Sequence, residues 1–422
     1  MANWTATVFE NEYLADGATD VHAVVTVACA GAGEAGSSGG DAAEIVIIDT
    51  SGSMREPRSK ITNARKAAAV AIDAIADGTF FAVIAGASTP DVLFPTDGEM
   101  ARADARSRKA AKDAVARHDA NGGTAIGAWL ECADGLFETS GAAKRHAILL
   151  TDGKNGEEDR DFEVYMQNVA GRFQCDCRGV GVDWDVKQLR RVASALLGSV
   201  DLIADPAHMA DDFASMMAAS MGRGVASASL RVWSPQGAKV MFVRQVAPAI
   251  EDLTAKRTTV SELIGDYPTG AWGDESRDYH VAVRVAPKPI GSEQLAARVQ
   301  LVVGDEVQAS GLVRATWSDD STLTTRINPA VAHYTGQAEL ASAIQDGLAA
   351  KASGDDATAT VKLGRAAQLA AETGNDEATA KLQKVVDIQD AETGTVRLKR
   401  EVDKLDEMAL DTSSTKTTRV KP

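Results

Sequence analysis

The chain has 422 residues, 45% of them hydrophobic and 25% charged, with a formal net charge of −16. That length allows two to four domains of roughly 100–200 residues, and the composition is that of a globular protein able to bury sizeable cores. An acidic chain without a basic stripe excludes nucleic acid as a main partner, because phosphate binding needs clustered Lys and Arg; it favours cations and basic partners.

Residues 1–30 lack a basic start, an apolar core and a cleavage site, and Glu10, Glu12, Asp16 and Asp20 interrupt them, so no signal peptide is expected. No apolar run approaches the roughly 20 residues of a membrane helix. The four cysteines, Cys29, Cys132, Cys175 and Cys177, are too few and unpatterned for a disulfide framework. Together these features predict a cytoplasmic location. Within the segment, Val21, Ala23, Val25, Val27 and Cys29 alternate with smaller or polar residues, the period of a half-buried strand. Residues 31–43, rich in Gly and Ser, break all periodicity and predict a flexible loop.

From 44 to 222 short apolar runs alternate with helical spacing. Glu44–Asp49, Phe80–Gly86, His146–Leu150, Gly179–Val182 and Val200–Ala204 read as strands. Lys60–Ile75, Ala101–His118, Ile126–Phe137, Val186–Leu197 and Met209–Met221 read as helices. Such alternation predicts an α/β fold with a doubly wound, mainly parallel sheet. Residues 225–330 return to period-two patterning (Leu230/Val232, Val281/Val283/Val285, Val299/Leu301/Val303), which predicts an antiparallel β-sandwich. The run Asp20–Val27 echoes Asp278–Val285. An N-terminal strand pair alone cannot bury its apolar face, so residues 1–30 are expected to join this sandwich, with the α/β domain inserted between. Residues 336–410 are Ala-rich with helical spacing, punctuated by Gly354 and Gly374-Asn375, and predict three or four helices. The Thr/Ser/Lys-rich tail, 411–422, is expected to be disordered.

The chemistry concentrates at three strand ends. Asp49-Thr50-Ser51-Gly52-Ser53 follows the apolar run 45–48, and in an open α/β sheet ligands bind beyond the carboxyl ends of strands. Gly122-Gly123-Thr124 offers a hydroxyl on a turn opening a helix, and Thr151-Asp152-Gly153 puts a second carboxylate after another buried strand. Oxygen donors from three loops, without His or Cys, describe a hard-cation site suited to Mg2+, with Mn2+ as an alternative. Two carboxylates leave such an ion room to accept an Asp or Glu from a partner.

The order DxSxS, GGT-x-x-G and TDG resembles the metal-ion-dependent adhesion site of von Willebrand factor A domains, with Asp49, Ser51, Ser53, Thr124 and Asp152 at its five positions. The resemblance spans about 44–222. It implies a Rossmann-like fold, direct metal ligation by the two serines and Thr124, and carboxylates acting largely through water. The wider layout is similar to bacterial cytoplasmic A-domain proteins in which a β-sandwich and C-terminal helices follow. It implies a non-enzymatic, Mg2+-dependent scaffold or adaptor, with Ser/Thr kinases, phosphatases or forkhead-associated proteins as candidate partners. Recruitment to an AAA-type ATPase complex is the alternative, and a metal-dependent hydrolase the third reading, for which the sequence offers no clear general base.

Other signals are weaker. Gly31-Ala32-Gly33-Glu34-Ala35-Gly36 matches GxGxxG and Gly36-Ser37-Ser38-Gly39-Gly40 matches GxSxG, but neither opens a helix as its chemistry requires. Ser51 stands where an aspartyl-phosphate enzyme would want a second carboxylate, and no GxxxxGK[ST] loop occurs. Cys175 and Cys177 point to one face of a strand without metal-ligand spacing. His22 and His280 read as sheet residues. Gly265–Glu275 reads as a turn packing its own Trp272, and Glu157, Glu158, Asp159 and Asp161 as an acidic flank to the metal edge.

Overall fold

A computed structural model describes residues 2–32 and 42–420. Contacts divide it into two compact units, one of Gly31–Ala226 with Gly270–Gly273, the other of Ala2–Ala30, Ser227–Thr269 and Asp274–Pro422. Most of the expected Gly/Ser loop, and with it the GxGxxG and GxSxG matches, lies outside the described residues.

The chain opens with strands β1 (Asn3–Glu10), β2 (Tyr13–Leu14) and β3 (Asp20–Ala30) of the second unit. It then enters the first unit, where β4 (Ala42–Asp49) is buried along its whole length. After it come α1 (Ser59–Ala74), β5 (Phe80–Gly86), the short β6 (Asp91–Phe94) and β7 (Ala101–Arg102), α2 (Ala105–Arg117) and α3 (Ile126–Ser140). The unit continues through β8 (Lys144–Thr151), α4 (Asp159–Val169), β9 (Gln174–Val180), α5 (Val186–Ala195), β10 (Val200–Ile203) and α6 (Met209–Met221). The sheet order is β10-β9-β8-β4-β5-β6, with β7 also paired to β5. Strands β10, β9, β8, β4 and β5 run parallel, and β6 and β7 are antiparallel additions. This is the doubly wound, mainly parallel sheet expected from the alternation of strands and helices. Strand β4 lies between β8 and β5, covered on both faces, which is why the run Ile45–Ile48 is continuously apolar rather than alternating. Ala64, Ala67, Ala68 and Ala71 of α1 form one stripe in a core with Met209, Phe213, Met216 and Met217 of α6, the small residues admitting long Met side chains as gap fillers.

In the second unit β11 (Val225–Trp233), β12 (Lys239–Ala247), β13 (Glu251–Asp252), β14 (Thr258–Ser261), β15 (Ile264–Trp272), β16 (Glu275–Arg284), β17 (Glu293–Val303) and β18 (Glu306–Trp317) follow. One sheet has the order β1-β3-β16-β12-β13, the other β14-β15-β11-β17-β18-β2. The N-terminal strands thus join the later β region, and the two echoing segments are direct antiparallel neighbours, with Thr26 opposite Asp278 and Asp20 opposite Arg284. Gly311 of β18 passes so near the other sheet that a Cβ there would meet Val8 Cγ2 at 2.4 Å. Residues 264–272 belong to strand β15 rather than to a turn, because Tyr267, Ala271 and Trp272 are buried in alternation with half-exposed neighbours along most of it.

The helices α7 (Pro329–Ala352), α8 (Asp356–Glu372) and α9 (Asp376–Val385) match the Ala-rich spacing, and each begins on an Asn or Asp whose side chain caps a backbone amide. The region is not helical throughout. Strands β19 (Val386–Asp390) and β20 (Thr395–Leu398) form a hairpin before α10 (Lys404–Ser413). Val386, Ile388 and Val396 supply its β-branched residues, and Gly394 takes a left-handed φ of 68° at the turn. The expectation of a disordered tail from 411 also needs correcting. Thr417 Oγ1 donates to Val246 O at 2.6 Å, Ile250 N donates to Thr415 O at 2.8 Å, and His333 Nε2 donates to Thr418 O at 2.7 Å. Polar composition alone does not keep a segment unfolded when tertiary partners satisfy its backbone.

Candidate metal centre

The five expected residues converge at the carboxyl edge of the parallel sheet. Asp49 ends β4 and is fully buried; Asp152 follows β8 and is fully buried too. Ser51 is buried, whereas Thr124 is half-exposed and Ser53 exposed. The carboxylates and Ser51 therefore form the floor, and Thr124 and Ser53 the rim. Ser51 N donates to Asp49 Oδ1 at 2.7 Å, Ser51 Oγ and Ser53 Oγ are 2.9 Å apart, and Ser53 Oγ donates to Asp152 Oδ1 at 2.6 Å. A Cβ added to Gly153 would stand 3.2 Å from Thr124 Oγ1 and 3.5 Å from Ser53 Oγ. That close approach places Thr124 with the serines.

Backbone bonds stitch the three loops together. Thr50 N donates to Gly86 O at 2.7 Å, Asn121 N to Thr50 O at 2.6 Å, Gly52 N to Gly122 O at 2.9 Å, and Gly156 N to Thr124 O at 2.7 Å. Burial pushes the Asp49 carboxyl up to about 6, the Ser51 and Thr151 hydrogen bonds opposing it and the Asp152 charge adding to it. Among the described residues no group of three or more His, Cys, Asp or Glu could hold a metal. A metal here would rely on hydroxyls plus two carboxylates, an all-oxygen set that fits a hard divalent cation.

Three side chains make contacts that the sequence reading did not assign. Thr151 Oγ1 donates to Asp49 Oδ2 at 2.6 Å and fixes that carboxylate. Lys60 Nζ lies 2.6 Å from Asp152 Oδ2. Glu157 does not flank the metal edge as a free acid: its Oε2 accepts from Gly127 N at 2.7 Å and its Oε1 from Ala128 N at 2.9 Å. Asp159 and Asp161 sit in the first turn of α4. These acids answer the unpaired amides and positive ends of helices. Thr151, Lys60 and Glu157 were visible as residues, but nothing in their spacing marked which groups they would bond. Replacing Glu157 with Ala is expected to cost about 1–2 kcal/mol and to weaken Mg2+ binding several-fold by loosening the start of α3 beside Thr124. A Mn2+ titration followed by electron paramagnetic resonance, with Mg2+ as competitor, checks this; unchanged affinity would confine Glu157 to stability.

Other candidates stay apart from the site. Cys175 and Cys177 are buried on β9 with their sulfurs 3.9 Å apart. His22 Nδ1 and His280 Nε2 are 3.1 Å apart in the β-sandwich, packed against Phe242.

The von Willebrand factor type A domain model matches residues 43–201, and the von Willebrand factor type A C-terminal domain model matches residues 368–414. A solved structure described as von Willebrand factor type A from Catenulispora acidiphila is 50% identical, with 99% of this chain and 97% of that one covered and a TM-score of 0.94. The chain belongs to the von Willebrand factor type A family. That family generally mediates protein–protein interaction, and its A domains commonly bind a divalent metal at the adhesion site. At the level of fold alone, the A-domain chain is similar to the ArnB paralog VWA2 from Sulfolobus acidocaldarius (15% identity, 98% of each chain, TM-score 0.58). It is likewise similar to a human COPII-coat protein (9% identity, 90% of this chain and 57% of that one, TM-score 0.53). No curated protein matches. Among the described residues no helix is long and apolar enough to cross a membrane.

Proposed function

We propose that this A-domain protein is a non-catalytic scaffold or adaptor that binds a partner's Asp or Glu through a Mg2+ held by Asp49, Ser51, Ser53, Thr124 and Asp152. The observation that carries the reading is the layering of the site, with the fully buried carboxylates of Asp49 and Asp152 and the buried Ser51 beneath the half-exposed Thr124 and the exposed Ser53. Ser51, Ser53 and Thr124 would hold the ion, and Asp49 and Asp152 would supply the compensating charge. When bound, the ion would supply a positive focus for an incoming carboxylate; the chain's own hydroxyls and carboxylates would hold and orient it. The polar contacts of the five residues come from hydroxyls, backbone amides and Lys60, an arrangement that supports a binding role for the site. A Ser/Thr kinase, a phosphatase or a forkhead-associated protein is the proposed kind of partner, in the cytoplasm.

The test is retention of partners from the parent cell by the immobilised full chain in Mg2+ or in EDTA, with the Asp49→Asn variant alongside. A partner held by the unaltered protein in Mg2+, and lost in EDTA and in D49N, supports the proposal. Equal retention in EDTA counts against it. Turnover of phosphatase or peptidase substrates with Mg2+ or Mn2+ would overturn the non-catalytic part.

A further inference from the structure

Lys60 is the second residue of α1, and its side chain is 14% exposed. Its ammonium reaches back over the adhesion-site loop to Asp152 Oδ2, 2.6 Å away, while Ser53 holds the other oxygen of the same carboxylate. Asp152 is fully buried, and the Lys60 ammonium is the cationic group that offsets its charge. With Lys60 in place the cluster of Asp49, Asp152 and Lys60 carries one net negative charge rather than two.

We propose that Lys60 is a built-in counter-ion occupying the electrostatic place of the divalent cation, and that metal binds only by displacing it. The inference rests on the metal-binding reading of Asp49 and Asp152. An ammonium and a divalent ion beside one carboxylate repel each other strongly in a partly buried setting, where little solvent screens them. Lysine suits this exchange. Its charge is a compact point on a flexible four-carbon stem, so it can leave for solvent without disturbing the helix. Such a residue holds the metal-free loops in register and sets a threshold for metal. A partner carboxylate, which adds the charge that Lys60 cancels, would raise metal affinity, and by linkage metal would raise partner affinity equally.

The test uses Mn2+ alone as the probe, titrated into the full chain and read by electron paramagnetic resonance, with metal-free thermal unfolding in parallel. Lys60→Met, which keeps the stem and removes the charge, is expected to bind Mn2+ at least tenfold more tightly than the unaltered protein and to unfold at a lower temperature without metal. Lys60→Gln, which can still donate to Asp152, should show the same tightening and serves if K60M does not fold. Lys60→Arg should bind like the unaltered protein. Equal or weaker Mn2+ binding by both K60M and K60Q, with binding by the unaltered chain intact, would overturn the role of Lys60 and leave the metal site standing. Absence of Mn2+ binding in all four proteins would defeat the metal reading itself, and the proposal with it.

Discussion

The unaltered protein is expected to gain thermal stability when metal is added, and replacing Asp49 with Asn is expected to abolish that rise. A ligand that binds only the folded state stabilises it by mass action, by about 2.7 kcal/mol when metal is at a hundredfold excess over its Kd. For a unit of this size that is a rise of roughly 5–10 °C. Asn is the informative replacement because the bonds around Asp49 can be rearranged to suit it. The amide oxygen can still accept from Ser51 N, and Thr151 Oγ1, which also reaches Gly153 O at 3.2 Å, can turn its hydrogen there and accept from the new amide. Metal-free D49N should therefore unfold near the temperature of the unaltered protein, or slightly above it, because a buried charge has gone. Asp49→Ala is less clean. It leaves a buried amide and a buried hydroxyl to find new partners, at about 1–3 kcal/mol for each left unmade. Scanning both proteins in Mg2+, Mn2+ and EDTA decides the matter. Equal rises in the two would put the metal elsewhere, and no rise in either at millimolar metal would remove it from this site.

The legible part of this molecule is what short, contiguous sequence can encode. Asp49, Ser51 and Ser53 share one loop, and Thr124 and Asp152 each sit in a glycine-marked turn directly after or before a regular element. Strand order brings those loops together because β4 is central and β8 is its neighbour. The doubly wound sheet was readable for the same reason: strands buried on both faces give unbroken apolar runs. Partners chosen by tertiary structure were not readable. Lys60 stands 92 residues from Asp152, and a lysine in the first turn of a helix ordinarily reads as solvated. Glu157 read as surface acid because the helix it caps begins thirty residues earlier. The hairpin of β19 and β20 was hidden by its Ala-rich surroundings, whose helical period dominates any window wide enough to measure one. The tail misled for a related reason: its composition says how little apolar surface it can bury, but not that β12 and α7 offer it hydrogen-bonding partners.

The second large effect is expected at the opposite end of the same sheet. His146, near the start of β8, is fully buried between two carboxylates: Nδ1 is 2.7 Å from Glu44 Oε2, and Nε2 is 3.0 Å from Asp176 Oδ2. Glu44 lies five residues before Asp49 on β4, roughly 16 Å away along an extended strand, so this cluster is separate from the metal site. Ser220 Oγ donates to Glu44 Oε1 at 2.6 Å, Ser199 donates twice to Asp176 Oδ1, and Arg223 stands 4.0 Å from Asp176, while Lys144 donates to the backbone of Ser220 and Arg223. Burial works against a charged imidazole, but Glu44 and Asp176 outweigh it and push His146 up to about 9. Burial likewise works against the Asp176 carboxylate, and the His146 bond and charge outweigh it, holding the group far below its usual range. His146 therefore has a folded value above its unfolded value of about 6.5. Its contribution is complete below pH 6.5 and is lost as pH rises through 9, a decline of up to about 3 kcal/mol. The Asp176 contribution has the opposite sense, present above about pH 4 and lost in stronger acid. Removing the imidazole by His146→Gln should cost about 3–5 kcal/mol at pH 6, because two buried carboxylates lose the cation between them. The same substitution should flatten the fall in stability between pH 6.5 and 9. Urea unfolding of both proteins across that range measures both effects. A combined Glu44→Gln, His146→Gln, Asp176→Asn variant, which removes both carboxylates with the imidazole and leaves Arg223 and Lys144 as the neighbouring charges, should recover part of the loss, since the penalty belongs to unpaired charge rather than to shape. If it is no more stable than H146Q alone, packing around the ring, and not its charge, is what the cluster contributes.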